Sequence, residues 1–342
     1  MEKTYDLVII GAGSGGLAAV GFAVEIGATV ALIDRTRLGG DCTWTGCVPS
    51  KSLLHAAKVA HHMRSADHYG IAPNPPQVDL ARIMRHVDGI VQDIYAEETP
   101  DVLREQGIDV YLGEAKFLDA HTLQVGGETL HARNTILATG AHPFVPPIEG
   151  LDQVSLLTYE SVWEMTELPR HLIVAGGGPV GTEMAQAFRR LGSRVTQIQF
   201  RNRLLPRDDP IASRIIGETF AREGIDVRYN SRIEKAWQAQ DGIHVLANRT
   251  EVIGDALLIA AGRRPNVEGL DLEKAGVEYT PRGIVVDDHL QTSQKHIYAA
   301  GDCTGSHQFT HYAGWQVITA ARNALLPGRS KGVQTWVPWT TF

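Results

Sequence analysis

A glycine-rich fingerprint occurs twice in this chain, each time between an apolar run and an apolar helical stretch. The first copy follows the strand-like run Tyr5 to Ile10: Gly11-Ala12-Gly13-Ser14-Gly15-Gly16, then a helical pattern to about Gly27 and a second strand, Thr29 to Ile33, ending in Asp34. The second follows His171 to Ala175: Gly176-Gly177-Gly178-Pro179-Val180-Gly181, then a helix to about Leu191 and the strand Arg194 to Gln199. Asp34 lies 23 residues after Gly11, and Gln199 lies 23 residues after Gly176. The physical roles follow from position: Gly11 and Gly176 make tight turns, Gly13 and Gly178 let backbone approach a pyrophosphate, and Gly16 and Gly181 let the helix lie against the sheet. The exposed N–H groups at each helix start attract phosphate. One such motif is weak evidence; two in matching βαβ context predict two dinucleotide sites in an α/β protein with two Rossmann-like, three-layer domains.

The length, 342 residues, fits two domains. The net charge of −7 offers no basic surface to nucleic acid. Three cysteines are too few for a secreted disulfide framework. The 18-residue charge-free run Leu7 to Val24 is interrupted by five glycines and reads as strand–turn–helix, not a membrane span. The N-terminus lacks a signal-peptide pattern, and the expectation is a soluble cytoplasmic protein without a membrane partner. Between the fingerprints, 51–63 and 79–106 read as helices and Asn134 to Gly140 as a strand. The proline-rich stretch Ala141 to Gly150 reads as the crossing into a second domain. Beyond the second fingerprint, 210–223 reads as helix, 226–260 as strands and turns, and about 312–326 as helix.

The segment Gly39-Gly40-Asp41-Cys42-Thr43-Trp44-Thr45-Gly46-Cys47-Val48-Pro49-Ser50-Lys51 carries the chemistry. Pro49 suits the first position of a helix, which places Cys47 just ahead of the helix N-terminus. The dipole there favours a thiolate by up to about 2 kcal/mol. A thiolate exchanges disulfides, so a dithiol beside a dinucleotide site reads as a redox relay. No second cysteine pair completes a zinc site, and no metal site is expected. Cys303 reads as a small buried residue, the histidines at 55, 61, 62 and 68 as a surface helix face, and Trp336 and Trp339 as packing residues.

These motifs, with Ala138-Thr139-Gly140 and Tyr298-Ala299-Ala300-Gly301-Asp302, resemble the pyridine nucleotide–disulfide oxidoreductases. That flavoenzyme family includes dihydrolipoamide dehydrogenase, glutathione reductase and mercuric reductase. The wording Asp41 to Cys47 is most similar to mercuric-reductase-type members. The resemblance implies FAD at the first fingerprint, with Gly11, Gly13 and Gly16 at the pyrophosphate and Asp34, where Glu is commoner, on the adenosine ribose. It implies Asp302 at the ribityl–phosphate region, and adds Gly40, Thr139, Gly140 and Gly262 to the cofactor-binding set. It implies that the helix after Phe309 points its N-terminus at the flavin. Cys47 would lie against the flavin as charge-transfer partner, Cys42 would meet the substrate, and Lys51 and Glu183 would form an ion pair at the flavin edge.

The second fingerprint would bind the nicotinamide nucleotide. Gln199 stands where an acid would hold a ribose 2′-OH, and Arg201, Arg203 and Arg194 flank it, which favours NADPH, with NADH the other candidate. The implied domains are an FAD domain (1–149 with 277–330) and an NAD(P) domain (150–276). Residues 331–342 resemble the opening of the family's C-terminal dimerisation domain. That domain is expected to be missing, which leaves a monomeric or weakly associating chain where full-length members are homodimers. The expected function is electron transfer from NADPH through FAD to a Cys42–Cys47 disulfide and on to a small-molecule or protein disulfide or a metal ion. Mercuric ion reduction is the named alternative, and a non-catalytic flavin- or nucleotide-binding redox sensor is the rival from another class.

Overall fold

The structure is a computed structural model and describes Lys3–Thr341. Met1, Glu2 and Phe342, which end the N-terminal charge pattern and the C-terminal stub, lie outside the described residues. In chain order the elements begin β1 (Lys3–Ile10), α1 (Ser14–Glu25), β2 (Val30–Asp34), α2 (Gly40–Trp44), α3 (Cys47–Arg64), α4 (Leu80–Tyr95) and α5 (Pro100–Glu105). Then come β3 (Asp109–Leu112), β4 (Ala115–Phe117), β5 (Thr122–Val125), β6 (Glu128–Leu137), β7 (Ala141–Pro143), β8 (His171–Ala175), α6 (Pro179–Leu191) and β9 (Arg194–Ile198). After α7 (Pro210–Glu223) and β10 (Asp226–Arg228) follow β11 (Ile233–Ala239), β12 (Gly242–Ala247), β13 (Thr250–Gly254), β14 (Ala256–Ile259) and β15 (Arg263–Pro265). The chain closes with β16 (Tyr279–Thr280), β17 (Gly283–Ile284), β18 (Ile297–Ala299) and α8 (Thr310–Leu325). No described helix is long and apolar enough to cross a membrane.

The chain divides into two compact units. One comprises residues 1–43, 93–142 and 263–340; the other comprises 44–92 and 143–262, with 341–342. In the first, β3, β2, β1 and β6 form a parallel sheet, β18 extends it along the end of β6, and β5 and β4 add antiparallel strands. Leu7, Ile9 and Leu32 face α1 and α8, whereas Val8, Ala31 and Ile33 face the opposite side; all are buried. A parallel sheet covered on both faces needs such continuous apolar strands. Gly15 lets α8 close on α1, since a Cβ there would stand 3.3 Å from Val317.

In the second unit β10, β9, β8 and β14 form a parallel sheet beside the antiparallel β11–β12–β13 meander. Helix α3 buries Leu53, Leu54, Ala57 and Ala60 in the same cluster as Met184, Ala185 and Phe188 of α6. That apolar stripe lies in the compact unit that holds the second fingerprint, and residues 263–276 lie in the unit that holds the first. The continuous helix expected over 79–106 is two helices. Thr99 accepts a hydrogen bond from the Val102 N–H and Pro100 occupies the first position, so a new helix starts there.

His244 of β12 is buried and stacks on Trp237, with ring centroids 5.1 Å apart. Its Nδ1 lies 2.6 Å from Glu251 Oε1 and its Nε2 lies 2.7 Å from Asp241 Oδ1. Both partners are carboxylates, and the Asp241 and Glu251 hydrogen bonds raise the His244 pKa. A raised histidine pKa gives stability that is present below the unfolded value, about 6.5, and lost as pH rises through the folded value. Thermal melts from pH 6 upward are expected to fall over that window, and His244→Gln is expected to flatten the fall. An equally steep fall in the variant would refute this.

Candidate functional site

The first glycine loop is fixed by backbone crowding. Gly11 has φ +106, and a Cβ on it would lie 2.2 Å from the Ala138 carbonyl oxygen. A Cβ on Gly16 would lie 1.8 Å from the Gly11 carbonyl oxygen. Gly13, the N-cap of α1, has open space instead: its nearest neighbour would be the Gly40 Cα at 3.6 Å. Gly40 itself has φ +60 and tolerates no side chain, because its Cβ would stand 2.5 Å from the Gly13 Cα. No side chain caps α1, and its first turn holds no acid, so its N–H groups are left for an anion. Asp34 turns back onto this loop: Oδ2 accepts from the Ala12 N–H at 2.9 Å and Oδ1 from Thr36 and Arg37.

The second loop repeats this geometry. Gly176 has φ +124, and its Cβ would lie 2.2 Å from the Ala260 carbonyl oxygen; a Cβ on Gly181 would lie 2.2 Å from the Gly176 oxygen. Gly178 N-caps α6 at φ −79, ψ −176, close to the φ −77, ψ −174 of Gly13, and a Cβ there would meet nothing within 4 Å. Gly262, at φ +133, is equally open. Gln199 is buried under the loop, and its Nε2 donates to the Arg203 carbonyl at 2.8 Å. The arginines expected near it separate. Arg203 donates to the backbone oxygens of Pro206 and Asp208, and Arg194 sits at the opposite end of β9 from Gln199. Arg201 is exposed, its guanidinium 5.6 Å from the centroid of the exposed Phe200 ring.

The cysteine segment forms two helical turns. Cys42 lies half-buried in α2, and Cys47 is exposed. Gly46 precedes the helix, so Cys47, not Pro49, is the first residue of α3, and Pro49 is the third. Pro49 is tolerated there because a first-turn N–H has no partner within the helix. Trp163, absent from the sequence expectation, donates its indole N–H to the Thr45 carbonyl at 3.1 Å. Lys51 of α3 and Glu183 of α6 meet at 2.9 Å, with Glu183 buried. Cys303 is fully buried within 3.3 Å of the Leu137 and Ala300 carbonyls, and burial pushes its thiol up to about 11.

In the first unit, Asp302 lies 3.0 Å from the Arg263 guanidinium, which also bonds Asp41. Burial raises the Asp302 carboxyl, and Arg263 offsets part of that rise. Asn266, three residues on, accepts at its backbone oxygen from Thr139 Oγ1, donates its Nδ2 to the Thr139 carbonyl and its N–H to the Gly140 carbonyl. A Cβ on Gly140, at φ +71, would meet nothing within 4 Å. Helix α8 starts after Phe309, as expected. Trp339 stacks on Phe309 at 5.8 Å, but Trp336 is 77% exposed, contrary to its expected packing role.

Gly11, Gly13, Gly16, Asp34, Gly40, Cys42, Thr139, Gly140 and Asp302 thus belong to one unit, and Cys47, Lys51, Gly176, Gly178, Gly181, Glu183, Gln199, Arg201 and Gly262 to the other. Two glycine-lined helix N-termini, two cysteines five residues apart and an ion pair with a buried Glu183 are the features that, in the sequence, read as those of a two-dinucleotide redox protein. The sequence profile of the family described as "Pyridine nucleotide-disulphide oxidoreductase" matches residues 5–324, and the chain belongs to that family. It is 37% identical to a mercuric reductase of Staphylococcus aureus, over all of this chain but 63% of that protein. It is 35% identical to a dihydrolipoyl dehydrogenase of Bacillus subtilis, over 93% of this chain and 71% of that protein. A solved HOCl-induced flavoprotein disulfide reductase of Escherichia coli superposes with a TM-score of 0.84 at 31% identity, covering 95% of this chain and 72% of that one.

Proposed function

We propose that this chain takes electrons from NADPH and delivers them through FAD to a Cys42–Cys47 disulfide, from which they pass to a disulfide or a thiophilic metal ion. The observation that carries this reading is the pair of matching glycine cradles, open at Gly13 and Gly178 where a phosphate would approach, joined to a dithiol segment. FAD suits the first cradle: α1 offers uncapped N–H groups, Gly40 leaves the approach clear, and Asp302 supplies a buried acceptor. Bound there, FAD supplies a two-electron carrier between nucleotide and disulfide.

The chain's own residues do the rest. Gly178 and the α6 N-terminus would hold the nucleotide's pyrophosphate. Lys51, held by the buried Glu183 carboxylate, would put its positive charge at the edge of the bound flavin. Reduction of the Cys42–Cys47 bond takes two electrons and two protons and leaves two thiols. First-turn N–H groups of α3 favour the thiolate at Cys47. The Cys42 thiolate then attacks one sulfur of the acceptor, whose other sulfur leaves as a thiolate. Cys47 attacks the mixed disulfide, which re-forms the internal bond and releases the second acceptor thiol. The mercuric reductase likeness favours a soft divalent ion held between these sulfurs as the second kind of acceptor.

Anaerobic bleaching of the flavin's visible absorbance by NADPH tests the reading; an FAD-loaded chain that NADPH does not bleach overturns it. The 2′-phosphate contact is assigned to Arg201, a reading supported by Arg203 donating to backbone carbonyls and Arg194 lying at the far end of β9. One charged contact is worth about 1.5–3 kcal/mol, so NADPH is expected to outpace NADH by about ten- to hundredfold, and Arg201→Ala to erase the difference. Equal rates with both nucleotides in the unmutated chain would refute the 2′-phosphate assignment.

A further inference from the structure

Arg263 lies 222 residues from Asp41 in sequence, yet its guanidinium bonds both Asp41, on the turn that carries Cys42, and Asp302. Nothing in the reaction sequence above uses it. The three side chains are partly buried, with Arg263 at 23%, Asp302 at 16% and Asp41 at 36% exposure, so their charges are only moderately screened. Asp41 and Cys42 are chain neighbours, with Cα atoms about 3.8 Å apart. The Asp41 charge one residue away on α2 opposes ionisation of the Cys42 thiol unless a cation offsets it. A second carboxylate at this turn, Glu98 from the connection between α4 and α5, accepts from Thr43 Oγ1 at 3.2 Å.

We infer that Arg263 is a positioning residue for the Cys42 thiol: its guanidinium fixes the α2 turn to the Asp302 loop and offsets the Asp41 charge beside Cys42. The inference rests on the reading of Cys42 as the thiol that meets the acceptor. Without Arg263, no guanidinium offsets the Asp41 charge beside Cys42, which then opposes the Cys42 thiolate. Without the Asp41 charge, Arg263 would instead favour the thiolate. Removal of the two partners therefore moves Cys42 in opposite directions, which a merely loosened turn would not do.

The test is the pH profile of Cys42 alkylation by iodoacetamide in the Cys47→Ser chain, with and without FAD, the adduct located by peptide mass spectrometry. Arg263→Gln is expected to raise the midpoint by about half to one pH unit, a three- to tenfold slower reaction below the midpoint. Asp41→Asn is expected to lower it, the double variant to return towards the parent, and Arg263→Lys to keep most of the parent value. Unchanged midpoints, or shifts of the two single variants in the same direction, overturn the inference. If Arg263→Gln fails to fold, the Asp41→Asn shift decides alone: a fall supports the inference and no shift overturns it. Reduction by NADPH is scored separately on the chain with Cys42 and Cys47 intact. A chain that NADPH reduces but that lacks the opposed shifts overturns only the role of Arg263; one with the opposed shifts that NADPH does not reduce overturns only the proposed function.

Discussion

Gly181→Ala is expected to destabilise the second unit outright, whereas Gly178→Ala, three residues away, is expected to leave the fold and remove the nucleotide. The new methyl at 181 would lie 2.2 Å from the Gly176 carbonyl oxygen and 3.1 Å from its carbon. Those are backbone atoms of a loop that Gly176, at φ +124, already holds against Ala260, so no flexible side chain can give way. Overpacking of this kind costs about 3 kcal/mol or more, a fall in melting temperature of about 10 °C. At 178 the methyl meets no atom within 4 Å. Its structural cost is that of Ala for Gly at an N-cap, under about 1 kcal/mol. It would stand where a pyrophosphate must approach the α6 N–H groups, and loss of two such charged contacts is worth about a hundredfold or more in affinity. The first loop offers the same contrast: Gly16→Ala, with 1.8 Å to a carbonyl oxygen, against Gly13→Ala, with 3.6 Å to the nearest atom. Melting curves beside nucleotide titrations separate the two effects. If Gly178→Ala melts as low as Gly181→Ala, the open position at the head of α6 is structural and the cradle assignment fails there.

That contrast also shows what a sequence of this kind makes legible. Both fingerprints are local, with the three glycines spaced so that turn, cap and helix contact fall within six residues, and backbone sterics leave few other uses for them. The Cys42 to Cys47 string is local in the same way. The break at Pro100 was equally local, a capping threonine followed by proline, and the helical periodicity on both sides obscured it. Arg263 is different. Ala260 to Asn266 reads as the end of the second nucleotide domain's sheet, and only the fold brings the Arg263 guanidinium to Asp41 and Asp302 and Asn266 to Thr139. The grouping of α3 with α6 follows from which apolar stripes meet, and one helix's periodicity does not name its partner. The arginine cluster near Gln199 was overcounted for a related reason: Arg203 finds carbonyl acceptors within five residues, and a strand's length separates Arg194 from the loop.

Reductive titration of the FAD-loaded chain is expected to consume about four electrons, two for the flavin and two for the Cys42–Cys47 disulfide, and each single Cys→Ser variant of that pair about two. The variants should differ in colour. Cys42→Ser leaves Cys47 at the head of α3, where first-turn N–H groups favour its thiolate, so a long-wavelength absorption band from a thiolate against the flavin is expected without added reductant. Cys47→Ser removes that sulfur and should abolish the band at every stage of the titration. Cys303 is the internal control. It is fully buried, it lies within 3.3 Å of two backbone carbonyls, and burial pushes its thiol up to about 11, so at neutral pH it stays protonated and out of reach of exchange. Cys303→Ser is therefore expected to keep both the four-electron stoichiometry and the band. Loss of the band in Cys303→Ser, or its persistence in Cys47→Ser, would assign the flavin-facing thiolate to a different sulfur. A two-electron titration of the unmutated chain would show that Cys42 and Cys47 do not form a redox disulfide, and the relay reading would fall with it.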